Sequence, residues 1–362
     1  MKRLDVLVVL LFFFVQVSCN DFRFTNDRNW IQTEIPDSIR HSFFSDSLNF
    51  LTKDKAELGR YLFYDKRLSI NKTKSCASCH DPRFAFTDTY RRSVGAYGDL
   101  TMFNSPPLFN LAFNRYFTYA DSSLHTPEQQ IKNPMFADSP VELGWKNNEA
   151  LLLKRLREDS LYRSLFSRAF PGVDEKELFT VKHVQFAISS FTKTILSFNS
   201  RYDDYVYRGK KTALDSGEVR GMLLFQSSRL KCNQCHSGVN LNEPVISGSP
   251  HFNTGFFTDT AVHKGVAMNT KNDSDAGKYK TPTLRNLAFT SPYFHDGSVE
   301  SLQEVVSMFA NGNLSKDQNK HPFIQGFNLN LQERNDLIRF LLCLTDSTIL
   351  HKPQYQNPWE IK

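Results

Sequence analysis

The chain has 362 residues, 40% of them hydrophobic, which is enough for two domains with buried cores. Its formal net charge is only +6, and its Lys and Arg residues are scattered without a basic block or aromatic-basic interleaving, so no nucleic-acid partner is expected. Phenylalanine is over-used, at 32 residues, which suits either a ring-rich core or the walls of a large planar cofactor.

Residues 1–19 join a charged start, Met1-Lys2-Arg3, to an apolar run, the pattern of an export signal. The run is too short to favour a lasting transmembrane helix. Cys19 after Val17-Ser18 resembles a bacterial lipoprotein cleavage box, although Gln16 stands where an aliphatic residue is usual. Lipid attachment at Cys19 and plain cleavage both place the mature chain outside the cytoplasm, in the periplasm or cell envelope. Any membrane contact would run only through that anchor. Residues 20–45 read as a polar and aromatic lead-in.

Leu58 and Leu62, four apart, predict a helix over 54–69. It leads into the pentad Cys76-Ala-Ser-Cys79-His80. A long loop region is expected from about 81 to 147, followed by helices over 148–170 and 180–206. A polar stretch, 208–217, reads as a connection between a first domain (46–207) and a second (208–346). Another helix (216–228) then leads into a second pentad, Cys232-Asn-Gln-Cys235-His236. Ser301 and Glu304 are spaced as a capping box, and Asn330 is placed to cap the last helix, before a tail at 347–362. Convincing strands are few, so the class is mainly α with long loops.

A Cys-x-x-Cys-His pentad is the attachment signal of c-type haem: the thiols add to the vinyl groups and the adjacent histidine ligates iron from below. A zinc or thioredoxin-like reading of the cysteine pairs leaves both trailing histidines unexplained. Two covalently bound haems c are therefore expected, on Cys76, Cys79 and His80 and on Cys232, Cys235 and His236. Of the other cysteines, Cys19 belongs to the export signal and Cys343 sits in an apolar helical run as a core thiol, so no pair is left for a structural disulfide.

The stretches "LGRYLFYDKRLS", "SCASCHDPRFAFTD", "FNSPPLFNLAF", "KCNQCHSGVN" and "KTPTLRNLAFTSPYFHDGSVESLQEVV" resemble the bacterial dihaem cytochrome c peroxidases, a family that includes MauG-type enzymes. The resemblance covers roughly 54–346 and implies two cytochrome-c-like haem domains: an N-terminal peroxidatic site and a C-terminal electron-transfer site. It implies that Glu142 is the catalytic glutamate, with Leu143 where methionine is usual. Gln129 would orient peroxide, and Tyr119 would stand where relatives place a tryptophan between the haems. Ala96 falls where classical members carry a distal histidine, which implies an open first haem. Phe309 falls at the sixth-ligand position of the second haem, which leaves Met308 or Met268 as candidates. Asn104, Thr290 and Pro292 match the family's calcium site, and Arg285 is expected to pair a haem propionate.

The implied activity is reduction of hydrogen peroxide with electrons from a small periplasmic donor, a cytochrome c or a cupredoxin. MauG-like oxidation of a partner protein and a non-enzymatic dihaem electron carrier are the alternatives. Family members commonly form homodimers, and no stretch of this sequence marks a dimer surface.

Overall fold

Thr52 starts the first helix, α1 (Lys53–Tyr64), because its extended backbone lets its hydroxyl accept the free Lys55 N–H. Leu58, Leu62 and Phe63 lie on one face of that helix and are fully buried. These features belong to a computed structural model that describes residues 31, 33–43, 48–246, 248–257, 263–312 and 317–360. The export signal and Cys19 lie outside the described residues. Among the described residues no helix is long and apolar enough to cross a membrane.

Leaving aside single turns at Glu175–Leu178 and Ala267–Thr270, the helices that follow are α2 (Pro127–Phe136), α3 (Glu149–Arg157), α4 (Ser160–Ala169), α5 (Val181–Thr194), α6 (Arg201–Val206), α7 (Ser216–Gln226), α8 (Leu302–Asn311) and α9 (Leu331–Cys343). The described sheet is a single antiparallel pair, β1 (His251–Phe252) with β2 (Tyr279–Lys280), in the register His251 opposite Lys280. The mainly α class holds.

Two expected helices are broken. Asp159 interrupts 148–170 by capping a new helix, its carboxylate accepting the Leu161 N–H at 2.8 Å. The 180–206 stretch breaks at Ile195–Ser200, where Ser200 caps α6. Conversely, α2 lies inside the expected loop region. Thr126 and Gln129 form its capping box and Pro127 occupies its first position, where a missing N–H costs nothing.

Each half has its own apolar core. In the first, α1 packs along α5 around Phe63, Phe86, Phe166 and Phe191. In the second, α7 packs along α9 around Phe225, Leu337 and Phe340. Both crossings close on a glycine. A Cβ on Gly59 would lie 1.9 Å from the Ala187 carbonyl oxygen, and one on Gly221 would lie 2.0 Å from that of Asp336. The helix before each pentad is therefore locked at backbone contact to one helix of its own half, α1 to α5 and α7 to α9.

The outermost described segments pack against the body of the protein. Ile349 and Tyr355 complete the first core, and the Tyr355 hydroxyl donates to Thr194 O at 2.8 Å. Ile31, Ile35 and Ile39 pack with Phe113 and Phe198. Between the halves, two asparagines in left-handed conformation, Asn110 (φ 53) and Asn286 (φ 60), converge on buried Ser197. Asn110 Nδ2 donates to Ser197 O at 3.1 Å and Asn286 Nδ2 to Ser197 Oγ at 2.9 Å. Both begin the tetrapeptide Asn-Leu-Ala-Phe, at 110–113 and 286–289, a repeat that ties the halves at one point.

Candidate haem sites and the wall between them

Each pentad forms one tight 3₁₀ turn, Cys76–Ser78 or Cys232–Gln234, which brings its two thiols onto a common side. Cys76, Cys79 and His80 line a cavity of about 450 Å³ in the first half. Cys232, Cys235 and His236 line one of about 260 Å³ in the second. All four thiols are unpaired. Burial pushes Cys76 and Cys232 up to about 12, and Cys79 and Cys235 up to about 11. Burial thus keeps all four as neutral thiols in the absence of a bound group. Among the described residues no three His, Cys, Asp or Glu side chains gather as a metal cluster.

The histidines are set up alike. His80 Nδ1 donates to Phe86 O at 3.0 Å and His236 Nδ1 to Leu241 O at 2.8 Å. A carbonyl partner requires N–H on Nδ1, which leaves the Nε2 lone pair free to ligate. Burial lowers the pKa of both, that of His236 to about 4, so the rings are neutral as metal ligands must be. Rings close the walls: Phe63, Phe103 and Phe109 in the first cavity, and Phe225, Phe257 and Phe327 in the second. Thiol pairs, neutral histidines and ring-lined clefts fit two covalent haems.

Glu142 lines the first cavity together with His80. Burial raises its carboxyl above the ordinary range. Gln129 does not line this cavity and corrects the expectation: its Oε1 accepts the N–H groups of His125 (2.8 Å) and Thr126 (3.1 Å), so it caps α2 at the surface. Its neighbour Gln130 lines the cavity instead. Pro134 sits one turn further along α2 and, lacking an N–H, leaves the Gln130 carbonyl without its helical partner. Ala96 is buried, and its N–H bonds Val141 O at 2.9 Å and Glu142 O at 3.1 Å, tying that loop to the glutamate.

Tyr119 lines both cavities, as part of the wall between them. Burial raises its phenol pKa, and its ring meets Phe103 edge-on at 5.8 Å. The same wall includes Asn104, whose Nδ2 donates to Tyr90 O at 2.9 Å. Thr290 and Pro292 line the second cavity with it.

Three further expectations are corrected. Met308 does not line the second cavity; Phe309 of α8 does, edge-on to Phe256 at 4.9 Å. Helical geometry turns residue 308 about 100° away from 309. Met268 lines the first cavity, not the second, and no methionine is among the described residues that line the second. Arg285 is fully buried but already paired: its guanidinium meets Asp203 at 2.9 and 3.1 Å and donates from Nε to Val239 O at 2.8 Å. Its carboxylate partner is a protein one, and it lines neither cavity.

A sequence signature described as di-haem cytochrome c peroxidase matches residues 53–212. The chain is 30% identical to the methylamine utilization protein MauG of Methylorubrum extorquens, over 85% of this chain and 82% of that one. It is 32% identical to the cytochrome c551 peroxidase of Nitrosomonas europaea, over 84% and 83%. Among solved structures, a MauG-like protein associated with microbial copper homeostasis superposes with a TM-score of 0.81 at 36% identity, covering 87% of this chain and 96% of that one. The diheme peroxidase BthA of Burkholderia thailandensis shares the fold, with a TM-score of 0.64 at 22% identity over 85% and 88%. Identities and coverages of this order make the chain a member of the di-haem cytochrome c peroxidase family, MauG proteins included, and an oxidoreductase that carries two haems c.

Proposed function

We propose that the chain reduces hydrogen peroxide in the first cavity with electrons relayed through the second. The observation that carries this is the placement of Glu142: a buried carboxyl, raised by desolvation, on the same cavity as His80 and both pentad thiols. Bound haem would supply an iron that meets peroxide at one site and stores an electron at the other.

The chain's own residues do the rest. Glu142 accepts a proton from the inner oxygen of peroxide and returns it to the outer one. Gln130 orients the peroxide from α2. Tyr119, on the shared wall, carries the electron between halves. As a phenol whose ionisation burial disfavours, it must release a proton on oxidation, which slows the hop. Support for a calcium site comes from Asn104: its amide nitrogen is used by Tyr90 O, so its oxygen is left to face a hard cation beside Thr290 and Pro292. The donor is a small redox protein of the cell envelope, and Cys19 is the anchor if the chain is lipidated.

A second reading, oxidation of a partner protein, is favoured by two observations. Ala96 offers no ligand to the first cavity, and Phe309 rather than a ligand faces the second from α8. Steady-state peroxide turnover with a reduced small cytochrome separates the readings. Glu142→Gln should cut turnover by about 10²–10⁴-fold. Its kcat/KM in the wild type should fall as pH drops through a value above about 4.3, the ordinary glutamate range, because the base must be ionised. Absence of wild-type turnover with any such donor would shift the assignment to the partner-oxidising reading.

A further inference from the structure

The two cavities share one wall. Asn104, Ser105 and Tyr119 form it from one half, and Lys280, Pro282 and Thr283 from the other. Among the residues common to both linings, Lys280 is the sole lysine, arginine, aspartate or glutamate. Its backbone is fixed on both sides. It pairs with His251 in the β1–β2 ribbon, and its N–H donates to Tyr119 O at 2.8 Å.

The ammonium is under-served. Among the described residues no carboxylate lies within ion-pair distance of it, and its hydrogen bond, to Thr281 O, is long at 3.3 Å. The charged and titratable groups around it are Glu243, His236 and His251, all felt at longer range. Burial presses its pKa down to about 8, with Glu243 opposing. A withdrawn cation in this state needs an anion. By contrast, fully buried Arg285 is satisfied by Asp203. The second cavity's remaining lysine, Lys231, is exposed and lies over the Phe323 ring.

Haem c brings propionate carboxylates, and its vinyl edge is held at each pentad. We propose that Lys280 is the common counter-cation for the propionates of both haems, and that its charge, in place of a methionine ligand, raises the potential of the electron-storing haem. The inference rests on the di-haem reading above. A positive charge on the shared wall stabilises the reduced, less positive iron on either side. Among the described residues that line the second cavity there is no methionine, and a positive charge on its wall would raise the potential there.

The test is spectroelectrochemistry of the haem-loaded protein, with haem content measured first. Lys280→Met should lower both midpoint potentials, Lys280→Arg should leave both near wild type, and Lys176→Met, at an exposed lysine that lines neither cavity, should move neither. If Lys280→Met does not assemble, Lys280→Gln, which keeps a donor without the charge, takes its place with the same expectation. Unmoved potentials, or a shift at one haem alone, would overturn the proposal. So would a low-spin to high-spin change at the second haem, which would make Lys280 an iron ligand. A wild-type chain that binds fewer than two haems would instead fault the reading beneath it.

Discussion

Gly221 is a point where α7 cannot take a single added atom without moving away from α9. A Cβ there would stand 2.0 Å from Asp336 O, 2.5 Å from Asp336 C and 2.9 Å from Phe340 Cβ. Non-bonded heavy atoms settle at about 3.5 Å, so α7 and α9 must part by about 1.5 Å. The obstructing atoms are backbone, which cannot swing away. Overpacking of this kind costs about 3 kcal/mol, at the upper end of the usual range. Alanine returns about 1 kcal/mol of helix propensity, leaving a net loss of about 2 kcal/mol for Gly221→Ala. The separation also strains the Arg220–Asp336 ion pair that bridges the same helices at 2.7 Å. Guanidinium unfolding of the haem-loaded protein, followed by far-ultraviolet circular dichroism and haem absorbance, reads the difference. Gly248→Ala, with nothing within 4 Å of its Cβ, is the control and should stay within about 0.5 kcal/mol of wild type. The sign decides the matter: a higher midpoint for Gly221→Ala would mean that propensity outweighs contact and that the helices do not meet as closely as described.

The one-residue correction on α2 separates two adjacent glutamines. Gln129→Ala should cost about 1 kcal/mol by removing the cap yet leave peroxide turnover near wild type, whereas Gln130→Ala should slow turnover with little change in stability. Equal effects on turnover would undo the distinction. Buried Glu128 accepts from Lys193 and Asn49 at 2.8 and 2.7 Å and from Ser189, pinning α2 to α5. Burial opposes its ionisation, but Lys193 and these donors hold its pKa below the ordinary carboxylate value. A depressed folded pKa gives stability that is present above the unfolded value and lost as pH falls through the folded one, so this contribution should disappear only on strong acidification. Glu128→Gln leaves Lys193 buried without its anion and should cost about 3–5 kcal/mol in the same unfolding assay, with less acid dependence than wild type.

The pentads were legible because attachment chemistry fixes residue type and spacing at once. Glu142 was legible through its resemblance, and its burial fits that reading. Gln129 was misread although Thr126-x-x-Gln129 spells a capping box: a side chain that closes a helix end cannot also reach a cavity. The broken helices were hidden because periodicity does not show where Asp159 or Ser200 takes over as a cap. Met308 was misplaced because proximity in sequence is not a shared helix face. Arg285 drew the expectation of a propionate because a buried guanidinium must have an anion, but the anion, Asp203, lies 82 positions earlier and nothing local announces it. Lys280 opens the stretch "KTPTLRN" that carries the resemblance, but only the meeting of two linings shows its place between them.

Beside side-chain ties such as Asn286 to Ser197 and Asn240 and Asn242 to Asn114, the seam between the halves has main-chain bonds that do not depend on the side chains at 119 and 280. Lys280 N–H meets Tyr119 O at 2.8 Å, Asn104 N–H meets His295 O at 2.8 Å, and Asn269 reaches Ala120 O at 3.1 Å. Side chains at 119 and 280 are therefore free to change without unfastening the join. A lineage can retune how quickly charge crosses, or which electron source and which oxidisable target it suits, by single substitutions that leave the scaffold's fastening intact. A family holding both peroxidases and MauG proteins on one architecture is what such a permissive partition would allow.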